Sequence, residues 1–208
     1  MTTLETALKG AMANNRRFCP RSVDLVDHAL FCAEVAHSGQ YRKYTDEDYI
    51  MHPITVAEIV MNVFPDVDMV CAAYLHDTVE DCNVTLADLE GAGFGPQVVR
   101  LVENLTDVSR PEDGNRARRK AIDLAHTAQA SDAAKLIKLA DLLHNTCSIA
   151  KHDLNFAKVY LKEKVLLLEV LQPSPYRIMQ SEFAAAHRFL WELTSLQVCM
   201  NWEKVYGN

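Results

Sequence analysis

The stretch AYLHDTVED, residues 73–81, opens as an apolar helix and then places His76, Asp77, Glu80 and Asp81 within six residues. At about 100° per residue these four side chains share one arc of about 140°, in two stacked pairs at i and i+4. Three carboxylates that close repel one another and rise in pKa unless a cation sits among them. A divalent metal meets that requirement. Imidazole nitrogen combined with carboxylate oxygen suits Mn²⁺, Zn²⁺ or Fe²⁺ better than Ca²⁺, which prefers oxygen alone. Taken by itself, the stretch is equally well read as a solvated helix end with His76 hydrogen-bonded in the core.

Two other stretches carry matching chemistry. LIKLADLLHNT, residues 136–146, sets Asp141 among Leu136, Leu139, Leu142 and Leu143, with Lys138, His144 and Asn145 on its side. A buried carboxylate without a partner is costly, so Asp141 needs a cation or donors. Upstream, YIMHPITVAEI places His52 just before Pro53. A lone histidine, a His-Asp pair and a distant Asp supply four ligands from three helices.

The elements that position these residues all read as helices. DLVDHALFCAEVAHSG repeats apolar residues at spacings of three and four and stops near Gly39. PITVAEIVMNVF begins with Pro53 at a natural first helical position. VDMVCAAYLHDTVED is expected to be one helix, followed by Asn83 and Thr85 as turn and N-cap. Further helices are expected over 96–106, 115–129, 132–150, 155–171 and 176–204, and alternating apolar and polar runs are missing. The expectation is an all-α fold: a helical bundle domain over 1–172, its segment 1–20 the least well matched, and a helical extension from 173 to 208 packed on the same domain.

Composition narrows the function classes. The chain has 208 residues, about half of them apolar, and a formal net charge of −7. That length and composition suit one domain with a sizeable core. An acidic chain does not grip nucleic acid through general electrostatics. The six cysteines are scattered with no CxxC pair, and most lie in apolar runs where free Cys acts as a small hydrophobe. No secretory leader and no apolar run near roughly 18 residues is present, so a reduced, cytoplasmic protein away from membranes is expected. A homo-oligomer is compatible with the sequence.

On these residues the chain resembles a known family. His52, His76-Asp77 and Asp141 match the HD phosphohydrolase pattern H…HD…D. AHSGQYRK, YIMHPITVA, AYLHDTVED and LIKLADLLHNT resemble AHxGQxRK, YIxHPxxVA, ALLHDxVED and LxKLADRLHN. Those motifs belong to the hydrolase domain of Rel/SpoT proteins and to small alarmone hydrolases. The likeness runs from about residue 25 to 170. It implies cleavage of the 3′-pyrophosphate from ppGpp or pppGpp with Mn²⁺, one ion held by His52, His76, Asp77 and Asp141. Glu80 would orient or deprotonate the attacking water, with Asp81 in support. Asn145, assisted by Thr146, would hold ribose or phosphates, and Arg42 and Lys43 would pack on the purine or a phosphate. Arg116 and Lys120 form part of a basic stripe suited to a phosphate, and Tyr160 matches a position near the nucleotide.

Departures from the family pattern bear on substrate. The loop after Lys43 reads YTDEDYI where the family has SGEPYI, which brings Tyr44 near the expected base pocket. Leu142 replaces the usual Arg of KLADRLHN, and altered packing is expected there before altered chemistry. His37 reads as structural, and His144 as a hydrogen-bond partner beside Asp141. The chain ends soon after the helical domain, so hydrolysis without synthesis is expected. Two alternatives stay open: an HD-type phosphatase acting on a ppApp-type alarmone or on the 2′- or 3′-phosphate of a dinucleotide such as NADPH, and a non-catalytic nucleotide sensor.

Overall fold

The computed structural model describes residues 22–43, 46–173 and 181–207. Tyr44, the segment 1–20 and the start of the expected 176–204 helix lie outside the described residues. Among the described residues ten α-helices run in order: α1 Ser22–Ala36, α2 Met51–Val63, α3 Val67–Leu75, α4 Thr78–Asp81, α5 Leu86–Gly91, α6 Pro96–Leu105, α7 Arg116–Gln129, α8 Asp132–His152, α9 Leu154–Val170 and α10 Glu182–Tyr206. Among the described residues there is no β-strand, only an isolated bridge between Tyr41 and Asp48. The all-α expectation holds. No described helix is long and apolar enough to cross a membrane. The chain divides into two compact units at Thr106/Asp107.

In the first unit α3 is the central element and packs against α1, α2 and α6. Every residue from Met69 to Leu75 is buried. Asp66 caps the helix start by accepting from the Met69 N–H at 3.0 Å. Cys32 and Cys71 are buried free thiols, each pushed up to about 12 by burial, so they fill space and do not react.

Two expectations are corrected here. The helix read through residue 81 stops at Leu75, and α4 is a separate turn. Side chains take over carbonyls at the break: His76 Nδ1 donates to the Ala73 carbonyl at 2.7 Å and Thr78 Oγ1 to the Leu75 carbonyl at 2.7 Å. The single 140° arc therefore does not describe the four polar groups. Pro53 is the third residue of its helix, not the first, because Tyr49 and Ile50 already turn, with the His52 N–H on the Tyr49 carbonyl at 2.9 Å. Pro53 still sits in the first turn, where an N–H has no partner within the helix.

In the second unit α8 packs against α9 and α10, and α7 against α9. Leu136, Ile137, Leu139, Ala140 and Leu142 are buried along α8. Polar groups of α10 tie to carbonyls beneath them: Asn201 Nδ2 to Thr146 at 3.1 Å, Trp191 Nε1 to Leu168 at 2.9 Å, and His187 Nε2 to Leu171 at 3.0 Å. Leu142, the residue that replaces the family's Arg, is 1 % exposed and fills this core.

Two stability predictions follow from this packing. Leu75 is fully buried, so Leu75→Ala should cost about 3 kcal/mol in urea unfolding, whereas the exposed Leu154→Ala should be near neutral. Burial holds the His187 and His37 imidazoles below the ordinary value of 6.5. The unfolded chain therefore takes up protons first as the pH falls, and their stabilisation is complete above about pH 6.5 and lost below it. The urea midpoint should drop between about pH 7.5 and about pH 5.5, and His187→Gln should reduce that drop.

Candidate metal centre

The first unit brings His52, near the start of α2, together with the turn that joins α3 to α4. His52 Nε2 lies 3.5 Å from Asp77 Oδ2, and His76 Nε2 lies 3.2 Å from the same oxygen. The two rings meet edge to face at 5.2 Å, and both histidines are 1 % exposed. The Ala73 carbonyl can only accept, so His76 Nδ1 carries the proton of the neutral ring. Its Nε2 lone pair then points at a carboxylate oxygen. Lone pair against lone pair at that range is repulsive unless a cation lies between them. Two imidazoles and a carboxylate arranged this way fit a divalent metal ion, with His76 oriented by a backbone carbonyl as metal-bound histidines usually are.

Tyr49 completes the cluster. Its hydroxyl lies 2.8 Å from Asp77 Oδ2 and 3.0 Å from Asp81 Oδ2, a donor placed between the two carboxylates. Burial and the charge of Asp77 push the Asp81 carboxyl above its ordinary range, and the Tyr49 bond draws it partly back. The AHSGQ segment braces this arrangement. His37 Nδ1 donates to Gln40 Oε1 at 2.9 Å, and Gln40 Nε2 donates to the Asp81 carbonyl at 3.0 Å. The His37 ring stacks on Tyr49 at 4.8 Å, which gives it the structural part expected of it. Gly39, at φ +77°, makes the turn that returns the chain to Gln40. Glu80 is exposed on α4, and Lys43 is exposed just after Arg42. The Arg42 guanidinium lies 5.8 Å from the Tyr49 ring centre, in cation–π range.

The remaining residues named from sequence belong to the second unit. Asp141 is nearly buried on α8, accepts from Asn145 Nδ2 at 2.5 Å and pairs with Lys138 at 3.3 Å. Thr146 is buried, with its hydroxyl donated to the Leu142 carbonyl at 2.6 Å and 3.5 Å from the Tyr160 hydroxyl. Tyr160 is buried too, and the Lys164 ammonium lies 4.8 Å from its ring centre. Arg116 makes a two-pronged pair with Glu163, at 2.7 and 2.8 Å. Lys120 pairs with Asp107 at 2.6 Å and with Asp123 at 3.5 Å.

Residues 29–166 match the HD domain family. The chain belongs to that family. It is 33% identical over 207 residues to a probable GTP pyrophosphokinase of Mycobacterium leprae, covering 99% of this chain and 25% of that protein. The chain thus spans about a quarter of that relative's length. It is also 36% identical over 129 residues to the guanosine-3′,5′-bis(diphosphate) 3′-pyrophosphohydrolase MESH1 of Danio rerio, covering 61% of this chain and 69% of that one. Among solved structures, that of a metazoan ortholog of SpoT that hydrolyses ppGpp superposes with a TM-score of 0.65 at 26% identity, over 84% of this chain and 97% of that one.

Two residues around the centre escaped the reading of the sequence. Tyr49 stands three residues before His52, which puts it on the same side of a helical turn, and Gln40 closes the AHSGQ motif. Removing the hydroxyl in Tyr49→Phe should weaken divalent-metal binding about tenfold in calorimetric titration, with the fold unchanged by circular dichroism.

Proposed function

We propose that this chain removes the 3′-pyrophosphate of ppGpp and pppGpp, releasing pyrophosphate and GDP or GTP, with one divalent ion held by His52, His76, Asp77 and Asp141. The observation that carries the reading is the convergence of two imidazole Nε2 atoms on one carboxylate oxygen, in a chain with relatives named for this reaction. Mn²⁺ suits the mixed nitrogen and oxygen donors. When bound, such an ion supplies Lewis-acid polarisation of a phosphoryl group and a lowered pKa for water.

The chain's own groups do the rest. Glu80, exposed on α4, accepts the proton of the attacking water. Asp81, held by Tyr49 and Gln40, supports the water from its fixed position beside Asp77. The water oxygen bonds to the phosphorus carried on the ribose 3′-oxygen. The bond from that phosphorus to the 3′-oxygen breaks, a proton passes to the 3′-oxygen, and pyrophosphate leaves.

Substrate contacts divide by chemistry. Arg42 and Lys43 take the base or a phosphate, and Asn145 donates to ribose or phosphate while it keeps its contact with Asp141. Arg116 takes a phosphate by releasing Glu163, an exchange its half-exposed position permits. Lys120, matched by Asp107 and Asp123, contributes positive field. Thr146, whose hydroxyl is committed to the Leu142 carbonyl, supports Tyr160 from below the nucleotide site.

The deciding experiment incubates purified protein and Mn²⁺ with ppGpp, pppGpp, ppApp and NADPH and resolves pyrophosphate from orthophosphate. Pyrophosphate is expected from ppGpp and pppGpp, with turnover abolished by chelation. Glu80→Gln should lower kcat by roughly 100-fold while Mn²⁺ binding is retained. Orthophosphate from NADPH with ppGpp left intact, or full turnover after chelation, refutes the proposal.

A further inference from the structure

The second unit contains a cavity of about 430 Å³ between α7 and α9. Its apolar wall includes Leu124 of α7 with Val159 and Leu167 of α9, and Lys120, Lys138 and Lys164 line it as well. Such a volume falls within the range of roughly 300–1,000 Å³ typical of small-molecule sites, which combine apolar walls with a few placed polar groups.

The charges in this cavity do not balance. Its three carboxylates are each engaged by another cation: Asp107 and Asp123 by Lys120, and Glu163 by Arg116. Lys138 pairs with Asp141. Lys164 has no carboxylate within ion-pair distance among the described residues, and its ammonium rests against the Tyr160 ring. Burial and the neighbouring Lys138 push the Lys164 amine down to about 8 against the pull of Asp141 and Glu163, two carboxylates already paired with Lys138 and Arg116, so at neutral pH it is a poorly solvated cation with no carboxylate of its own. Two exposed lysines, Lys158 and Lys162, also line the cavity and add a positive field that attracts anions. A poorly solvated cation beside an apolar wall is stabilised by a ligand that brings both a negative charge and an apolar body.

We propose that this cavity is a binding site for an amphiphilic organic anion, with its aromatic or acyl body against Leu124, Val159 and Leu167 and its single phosphate or carboxylate head at Lys164. The site lies within the second unit and shares Lys120 with the substrate contacts proposed above, so Asn145→Ala, which alters those contacts and not the cavity lining, separates the two readings.

The test is calorimetric titration of the full chain, treated with chelator so that no metal attracts the probe, with 1-naphthyl phosphate. One molecule per chain is expected to bind with a Kd of about 50 µM. Lys164→Met should weaken it at least about tenfold, and Leu124→Trp, which fills the cavity from the opposite helix, should abolish it. Asn145→Ala should leave it within about twofold. Circular dichroism checks each fold, and if Lys164→Met does not fold, Leu124→Trp decides alone. No binding to the unaltered protein, undiminished binding to folded Leu124→Trp, or an Asn145→Ala loss as large as that of Lys164→Met overturns the proposal.

Discussion

The Asp77 carboxylate is the point on which the first unit turns. Two imidazole nitrogens and a tyrosine hydroxyl converge on its Oδ2, at 3.5, 3.2 and 2.8 Å. With His76 in the tautomer that its bond to Ala73 requires, its Nε2 has no proton to donate to that oxygen, whereas the hydroxyl does. The arrangement is electrostatically incomplete in a way that a cation completes. Holding it together requires the chain to break helix after Leu75, and the same break starts α4, which carries Glu80 and Asp81. Central α3, buried along most of its length, gives that break a rigid support.

The second unit handles charge differently. Asp107, Lys120 and Asp123 form one chain of opposite charges, and Lys138 pairs with Asp141. Each such cation is matched by a carboxylate, which limits the cost of burying it. Lys164 departs from that pattern, and the cavity beside it is the place where a ligand restores the balance. The basic stripe of α7 is likewise less free than its sequence suggests, because Arg116 and Lys120 already hold carboxylates.

Much of this was legible in the sequence, for identifiable reasons. Apolar spacing of three and four marks α1, α2 and α8 because each buries one face in a core. The residues proposed for metal chemistry stood out because His76, Asp77 and Asp141 interrupt apolar runs where polar groups are expensive. What the pattern hid was local hydrogen bonding. Periodicity counts side-chain faces and does not register that His76 and Thr78 capture the carbonyls of Ala73 and Leu75, so α3 and α4 read as one helix. Tyr49 and Gln40 went unnoticed because their parts depend on a loop returning past α4, a long-range contact that no local spacing encodes. The pairing of Arg116 with Glu163, 47 residues apart, was hidden for the same reason.

The central claim is that His52, His76, Asp77 and Asp141 bind one divalent ion. Anomalous diffraction at the manganese edge, from crystals of the protein grown with Mn²⁺, tests it most directly. A single strong peak bonded to His52 Nε2, His76 Nε2 and the carboxylates of Asp77 and Asp141 is the predicted result. A peak bonded to other residues, or none at that cluster with the metal in excess, would contradict it.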